Sequence, residues 1–219
     1  PQQRLFLEEC WKALEDAGIP PGSLSGSKCG VYVGAGQGDY LRNLSTDEFS
    51  AFWSNNSSVL AARISYYLNL KGPAIAIDTA CSSSLTAIHL GCKSLQNGET
   101  DLILAGGATV MTGPDFYKFA AKAGMLSEDG RCYTFDHRAN GFVPGEGVGV
   151  IILKRLADAQ RDGDRIYGLI KGSLINQDGT TNGITAPNAR SQEDLEKELY
   201  QRFNINPETI TYVEAHGTG

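Results

Sequence analysis

Positive charge is scarce in this sequence of 219 residues. Lysine and arginine number 19 against 25 acidic residues, which gives a formal net charge of −6. A nucleic-acid partner would demand a basic face, and a polybasic membrane anchor would demand a run of basic residues. No apolar run reaches the roughly 20 residues that span a bilayer. The sequence therefore favours a cytoplasmic protein with neither nucleic acid nor membrane as its partner.

Cysteine and histidine are also few. The five cysteines are widely spaced without a C-x-x-C pair, and there are three histidines. This pattern is typical of a protein in a reducing compartment, where most thiols act as small buried hydrophobes. It predicts no metal site. A thiol with a chemical role must then be distinguished by its local setting.

Strand and helix patterns alternate along most of the chain. Short apolar runs predict strands at 30–34, 74–78, 101–105, 147–153, 166–175 and 210–215. Helical spacing predicts a first helix with Leu7, Cys10, Trp11, Leu14 and Ala17 on one face, and others at 58–68, from Ser82 onward, and from a Ser191 cap to about Phe203. Near-continuous apolar strands separated by helices indicate an α/β fold with a mostly parallel sheet covered on both faces.

Cys81 stands in the most distinctive setting. It lies between a predicted strand and a predicted helix that opens with three serines, so we expect a sharp turn with an accessible thiol at the helix N-terminus. The helix macrodipole and free N–H groups there favour thiolate. A buried packing cysteine remains the alternative on these residues alone.

His216 follows the last predicted strand and is flanked by Ala215 and Gly217, so little bulk shields its imidazole. A cysteine and a histidine at the ends of distant strands can support nucleophilic acyl chemistry. A structural, hydrogen-bonding histidine is the open alternative.

Five motifs occur in an order that resembles the β-ketoacyl synthases (ketosynthases) of the thiolase superfamily. The resemblance covers the whole chain and is carried by P-Q-Q-R-L-F-L-E, G-P-A-I-A-I-D-T-A-C-S-S-S-L, F-D-H-R-A-N-G-F-V-P-G-E-G, N-G-I-T-A-P-N and E-A-H-G-T-G. The segments from residue 55 to 153 resemble bacterial modular type I polyketide synthases, and among these the kind served by a separate acyltransferase.

The resemblance implies a role for each matching residue. Cys81 matches the nucleophile that takes the acyl chain from a carrier-protein thioester, and its N–H would form half of an oxyanion hole. His216 matches the first of two histidines that support malonyl decarboxylation. Thr218 matches a threonine that hydrogen-bonds the phosphopantetheine arm, and Phe142 matches a residue near the acyl pocket.

The resemblance also implies a thiolase-like layered α/β/α/β/α fold, a homodimer, and decarboxylative Claisen condensation of a Cys-bound acyl chain with a carrier-bound malonyl unit. The phosphopantetheine arm comes from the acyl carrier protein, so we expect the domain itself to bind no cofactor. The family's second histidine and the glycine-rich part of the oxyanion hole fall beyond Gly219. We therefore expect a partial domain, with a first half at about 1–155 and a second half at about 156–219 that is cut off, and we expect this fragment to be inactive. A non-elongating ketosynthase and a fatty-acid elongating synthase remain alternatives.

Overall fold

The structure, a computed structural model, describes residues 1–44 and 49–219 of the chain and divides it into two units. The first unit comprises Pro1–Arg165 together with Gly217–Gly219, and the second comprises Ile166–His216. The helices are α1 (Gln2–Asp16), α2 (Phe49–Asn55), α3 (Ser57–Leu68), α4 (Ser83–Gln96), α5 (Asp115–Lys122), α6 (Leu156–Asp162) and α7 (Ala189–Arg202). The strands are β1 (Cys29–Gly34), β2 (Ala74–Ile77), β3 (Leu102–Thr109) and β4 (Gly147–Leu153). None of the helices in the described ranges is both long and apolar enough to cross a membrane.

A four-stranded sheet in the order β2-β1-β3-β4 forms the centre of the first unit. β1 runs parallel to both β2 and β3, whereas β3 and β4 are antiparallel. The prediction of a mostly parallel α/β sheet is therefore confirmed for three strands. β3 runs on to Thr109 instead of ending at Ala105 as predicted. Gly106 lets the backbones of β3 and β4 approach closely, because a Cβ there would lie 1.9 Å from the carbonyl oxygen of Gly149.

The two faces of the sheet pack against two different hydrophobic clusters, because alternate residues of each buried strand point to opposite faces. Val31, Val33, Leu102 and Leu104 pack with the buried side chains of α1 and α3. Their neighbours in sequence, including Tyr32, pack with residues of α4. Because side chains of a strand alternate between the two faces of a sheet, helices cover both faces, as the near-continuous apolar strands predict.

The buried face of α1 agrees with the predicted one at Cys10 and Leu14 but not at Trp11. The helix buries Gln3, Phe6, Cys10 and Leu14, while Trp11 is exposed and donates from Nε1 to Glu15 Oε1 at 2.9 Å. An indole N–H requires an acceptor, and the exposed side of the helix supplies one.

Of the predicted buried face of α4, only Leu95 is fully buried. We expected Leu85, Ile88, Cys92 and Leu95 to form its buried face. Leu85 is 71% exposed instead, and the buried side consists mainly of small residues, namely Ser83, Thr86, Ala87, His89, Gly91, Ser94 and Leu95. The reason is the close approach of this helix to the sheet, since a Cβ on Gly91 would lie 3.0 Å from Ile103 Cγ2.

Two predicted strands are absent from the second unit. All of residues 166–216 are described, and none of them is in a strand. Apolar side chains such as Ile170 and Val213 are exposed there. An apolar alternating segment becomes a strand only when a neighbour completes its hydrogen-bond ladder, and neither segment pairs with another.

The helix of the second unit begins earlier than predicted. α7 is capped by Asn188, whose Oδ1 accepts the N–H groups of Arg190 at 3.1 Å and Ser191 at 3.3 Å. Asn188 has the extended backbone of a cap residue, whereas Ser191 already lies in the first turn. The ring of Phe203, just beyond the helix, lies against Gly172, where a Cβ would be 2.4 Å from Cδ2.

Candidate active site

Cys81 occupies a sharp turn between β2 and α4. Residues 78–83 form this turn, the Cys81 elbow. The Cys81 side chain is exposed. Ser82 is the N-cap of α4 and makes no side-chain cap hydrogen bond, and Cys81 immediately precedes this cap residue. This confirms the predicted strand, turn and helix around an accessible thiol.

Short-range hydrogen bonds hold the elbow. Asp78 Oδ1 accepts the N–H of Ala80 at 3.0 Å, and Ser83 Oγ accepts the N–H of Thr79 at 2.9 Å. Ser83 Oγ also donates to the carbonyl oxygen of Ala80 at 2.6 Å, and Ser82 Oγ donates to that of Thr79 at 2.9 Å. The hydroxyl groups of Ser82 and Ser83 therefore satisfy the backbone of a tight turn.

Ala80 stores backbone strain beside the thiol. Its φ is +55°, in the left-handed region, which costs a residue with a Cβ about 1–2 kcal/mol. Such strain persists only where the surrounding contacts over-determine the conformation, and it concentrates at functional positions. The hydrogen bonds of the elbow supply that constraint.

Two glycines bring the elbow close to the sheet. A Cβ on Gly34, at the end of β1, would lie 2.4 Å from the backbone of Ser83 and Ser84. A Cβ on Gly107 of β3 would lie 2.9 Å from Ser84 Cβ. The start of α4 therefore rests directly on two strand backbones, which fixes the height of Cys81 above the sheet.

Cys81 and Phe142 line two neighbouring cavities of the first unit. Cys81 lines one of about 480 Å³, and Phe142 lines one of about 450 Å³ together with Phe116 and Phe119 of α5. Gly36, Thr109 and Gly145 line both cavities. The backbone holds Phe142 in place, because its N–H donates to the Met125 carbonyl oxygen and its own carbonyl accepts the N–H of Ser127, each at 3.0 Å.

The predicted residues near the C-terminus belong to different units. His216 is the last residue of the second unit and is exposed, whereas Thr218 belongs to the first unit and is also exposed. Thr134 Oγ1 donates to the carbonyl oxygen of Gly217 at 2.6 Å, and Gly217 has a φ of +51°. The first unit thus anchors the residue before Thr218. The pairing of Cys81 with His216 stays a prediction.

The other four thiols differ in exposure and in pKa. Burial raises the pKa of Cys29 to about 12 and raises that of Cys10 further, with added repulsion from Cys29 and Glu9. Burial also raises the pKa of Cys92. Cys132 is exposed, and its Sγ accepts the N–H of Val143 at 3.1 Å. Within the described part of the chain, no three His, Cys, Asp or Glu residues are grouped to hold a metal ion.

Sequence reasoning missed Asp39 and Thr134. Both act through hydrogen bonds to backbone groups distant in sequence, Asp39 to Thr112 and Gly113 and Thr134 to Gly217. A carboxylate or hydroxyl in a polar loop carries no periodic signal, so only the folded chain reveals these contacts.

An exposed cysteine on a strand-to-helix elbow of an α/β sheet, beside a cavity, is the arrangement that acyl transfer through a thiol requires. The chain belongs to the β-ketoacyl synthase family: residues 1–159 match the beta-ketoacyl synthase N-terminal domain, and residues 167–219 match the beta-ketoacyl synthase C-terminal domain.

Polyketide synthases are among the proteins similar to this chain. It is 54% identical over 219 residues to polyketide synthase PksL of Bacillus subtilis, and 49% identical over 224 residues to a phenolphthiocerol/phthiocerol polyketide synthase of Mycobacterium tuberculosis. These alignments cover the whole of this chain but only 5% and 14% of the relatives.

Solved ketosynthases share the fold. The ketosynthase from module 6 of the Bacillus subtilis bacillaene synthase matches with a TM-score of 0.94 at 54% identity, and the oxazolomycin ketosynthase domain of Streptomyces albus matches with 0.93 at 40%. This chain is covered completely and spans 37% and 40% of those chains. The fold is therefore the thiolase-like fold of ketosynthases, as predicted, and the chain is a part of that domain.

Proposed function

We propose that the chain carries the nucleophile of a modular polyketide ketosynthase, which performs decarboxylative Claisen condensation. The observation that supports this most directly is the exposed Cys81 on a strained elbow beside a cavity, in a chain of the β-ketoacyl synthase family. The similarity to polyketide synthases supports a role in polyketide biosynthesis.

The first half-reaction loads Cys81. Its sulfur attacks the thioester carbonyl of a carrier-bound acyl chain, the thiol proton passes to the departing sulfur, and the acyl group stays on Cys81 while the phosphopantetheine thiol leaves. The N–H of Cys81 is one donor to the oxyanion that develops. The exposed thiol allows a tethered substrate to approach.

The second half-reaction extends the chain. A carrier-bound malonyl group loses carbon dioxide, and the resulting carbanion attacks the acyl carbonyl on Cys81. A β-ketoacyl thioester forms on the carrier protein, and Cys81 leaves as the thiolate, which takes up a proton from solvent. In this proposal His216 supports decarboxylation, Thr218 hydrogen-bonds the phosphopantetheine arm, and Phe142 contacts the acyl chain.

Peptide mapping after treatment of the intact protein with an acyl thioester or a cerulenin-like electrophile tests the nucleophile. We expect the adduct on Cys81, and Cys132→Ala, which removes the other exposed thiol, should leave labelling unchanged. Label on Cys132 with Cys81 unmodified would overturn the assignment. His216→Ala should retain acylation of Cys81 but lose most condensation in single-turnover assays. Equal loss of both steps would make His216 the base for loading.

The same assays separate the alternatives. Acylation of the wild-type protein without malonyl-dependent elongation would indicate a non-elongating ketosynthase that only passes on the chain. Preference for a fatty-acid carrier protein would indicate a fatty-acid elongating synthase. The subclass with a separate acyltransferase, the cytoplasmic location and the halves at about 1–155 and 156–219 remain predictions.

We also propose a homodimer that forms along β2. Within the described ranges β2 pairs only with β1, which leaves its outer edge open, and Ile75 on this strand is 40% exposed. Leu85 of α4 is also exposed. Open edges and exposed apolar groups are typical of surfaces that bind another chain. Light scattering of the intact protein should show a dimer that Leu85→Glu weakens, whereas Tyr66→Glu, at an exposed position of α3, should not.

A further inference from the structure

Asp39 joins two loops that are far apart in sequence. It lies after β1, and both of its carboxylate oxygens accept the N–H of Thr112 at 3.0 Å. Oδ2 also accepts the N–H of Gly113 at 2.9 Å, and the Thr112 hydroxyl donates to Oδ1. Partial burial raises the pKa of Asp39, but the hydrogen bonds from Thr112 and Gly113 lower it more, so its pKa lies below the usual range. An ionised carboxylate, which only accepts, matches this set of donors.

Neighbouring contacts reinforce the same junction. Arg42 forms an ion pair with Asp115, the first residue of α5. Asn43 Nδ2 donates to Thr112 Oγ1 at 3.3 Å. The polar loop after β1 therefore holds Thr112, Gly113 and the beginning of α5 at Asp115.

α5 depends on this junction because it buries little of its own surface. Of its eight residues only Ala120 is buried. Phe116 and Phe119 line the 450 Å³ cavity next to the Cys81 cavity, and Phe119 is 68% exposed. Hydrophobic packing stabilises a helix in proportion to the apolar area that it buries, so the polar contacts at the start of α5 contribute much of its positioning.

We propose that Asp39 is a positioning residue, which sets the α5 wall of the cavity beside Cys81 and thereby decides which acyl chains load well. The inference rests on the proposed function of Cys81 as the acyl acceptor. Asp39 does not touch the reacting atoms in this proposal. Asp39 also lines the same cavity, and in this proposal its effect comes through Thr112 and Gly113, which place Phe116 and Phe119.

Asp39→Asn in the intact protein tests the proposal. An amide replaces one accepting oxygen by an NH2 group, and in either orientation this group faces N–H or O–H donors. The measurement is kcat/KM for acylation of Cys81 by the acetyl and octanoyl thioesters of N-acetylcysteamine. We expect the octanoyl-to-acetyl ratio to change by about tenfold or more, the size of discrimination that one misplaced pocket contact produces. The ratio is independent of the folded fraction, because both rates scale with it.

Three matched variants complete the design. Thr112→Val removes the hydroxyl donor but keeps both amides, so it should shift the ratio less, and Thr112→Ser should restore it. Asp158→Asn removes a carboxylate of α6 that forms ion pairs with Arg155 and Arg161. Asp158 lines neither of the two cavities. This variant should leave the ratio unchanged even if it lowers stability.

The outcomes separate two kinds of failure. Absence of acylation at Cys81 in the wild-type protein would refute the proposed function. Normal acylation of the wild type, with the same chain-length ratio in Asp39→Asn and Thr112→Val, would overturn the role of Asp39 alone. A shift in the Asp158→Asn control equal to that of Asp39→Asn would also overturn it, because the change in the ratio would then not be specific to the contacts of Asp39.

Discussion

Gly34→Ala is the most direct perturbation of the contact between the sheet and the Cys81 elbow. The new methyl would lie 2.4 Å from the Ser83 carbonyl carbon and the Ser84 nitrogen, where an ordinary contact begins at 3.4 Å. The start of α4 must therefore move by about 1 Å, the difference between these distances. The obstructing atoms are backbone, so no side-chain rotation can relieve the overlap.

Two consequences follow from that displacement. Overpacking costs about 1–3 kcal/mol, which for a unit of this size corresponds to a melting temperature lower by about 2–12 °C. A misplacement of 1 Å near the reacting atoms can reduce a rate by about a hundredfold. We expect the folded fraction of Gly34→Ala to be acylated far more slowly than the wild type.

The assay combines thermal unfolding with the rate of Cys81 acylation in the intact protein. Gly22→Ala is the matched control, because a Cβ at Gly22 would meet nothing within 4 Å. A Gly34→Ala protein with the melting temperature and acylation rate of the wild type would refute the reasoning, since α4 could then not rest on β1 as described.

Three further predictions concern strain, positioning and pH. Ala80→Gly should keep or raise the free energy of unfolding, because glycine adopts a φ of +55° without the steric cost of about 1–2 kcal/mol. Ala80→Val should lower the free energy of unfolding, and denaturant titration measures both variants. Thr134→Val should lose the hydrogen bond to Gly217 and raise KM for pantetheine thioesters several-fold. Thr134→Ser should restore the wild-type KM. An unchanged KM in Thr134→Val would contradict a role of Thr134 in placing the residues next to Thr218. Because the folded-state pKa of Cys29 is raised from 9 to about 12, its contribution to stability is complete below pH 9 and is lost at about 1.4 kcal/mol per pH unit from there to pH 12. Cys29→Ala should flatten that slope in denaturant titrations, and an unchanged slope would show that other groups dominate.

The strands of the first unit and the Cys81 elbow could be predicted because their signals are local. A short apolar strand, a turn of small polar residues and a helix follow each other within residues 74–96. Their conformations depend on neighbouring residues, and a pattern of adjacent residues captures such dependence.

The rest of the fold depends on what each segment meets. Its hydrophobicity led us to predict Leu85 on the buried face of α4. The close contact of the helix with Gly34 and Gly107, however, admits only small residues at the start of that face. The runs at 166–175 and 210–215 alternate like strands and yet have no ladder partner. Asp39 reaches donors 73 and 74 residues away, which no local pattern reports.

The helices α4 and α5 are held in different ways, and this matters for protein engineering. The start of α4 rests on the backbone of two strands, so Cys81 has a nearly invariant position and almost any atom added to Gly34 or Gly107 overlaps with the helix. α5 is attached mainly at its first turn and exposes its aromatic residues to the neighbouring cavity. If α5 is the wall of the acyl cavity, as proposed, substrate range can diverge through substitutions in α5 and its attachment without a change at Cys81. Libraries that aim at new acyl groups should vary residues 111–119 and leave the small face of α4 unchanged.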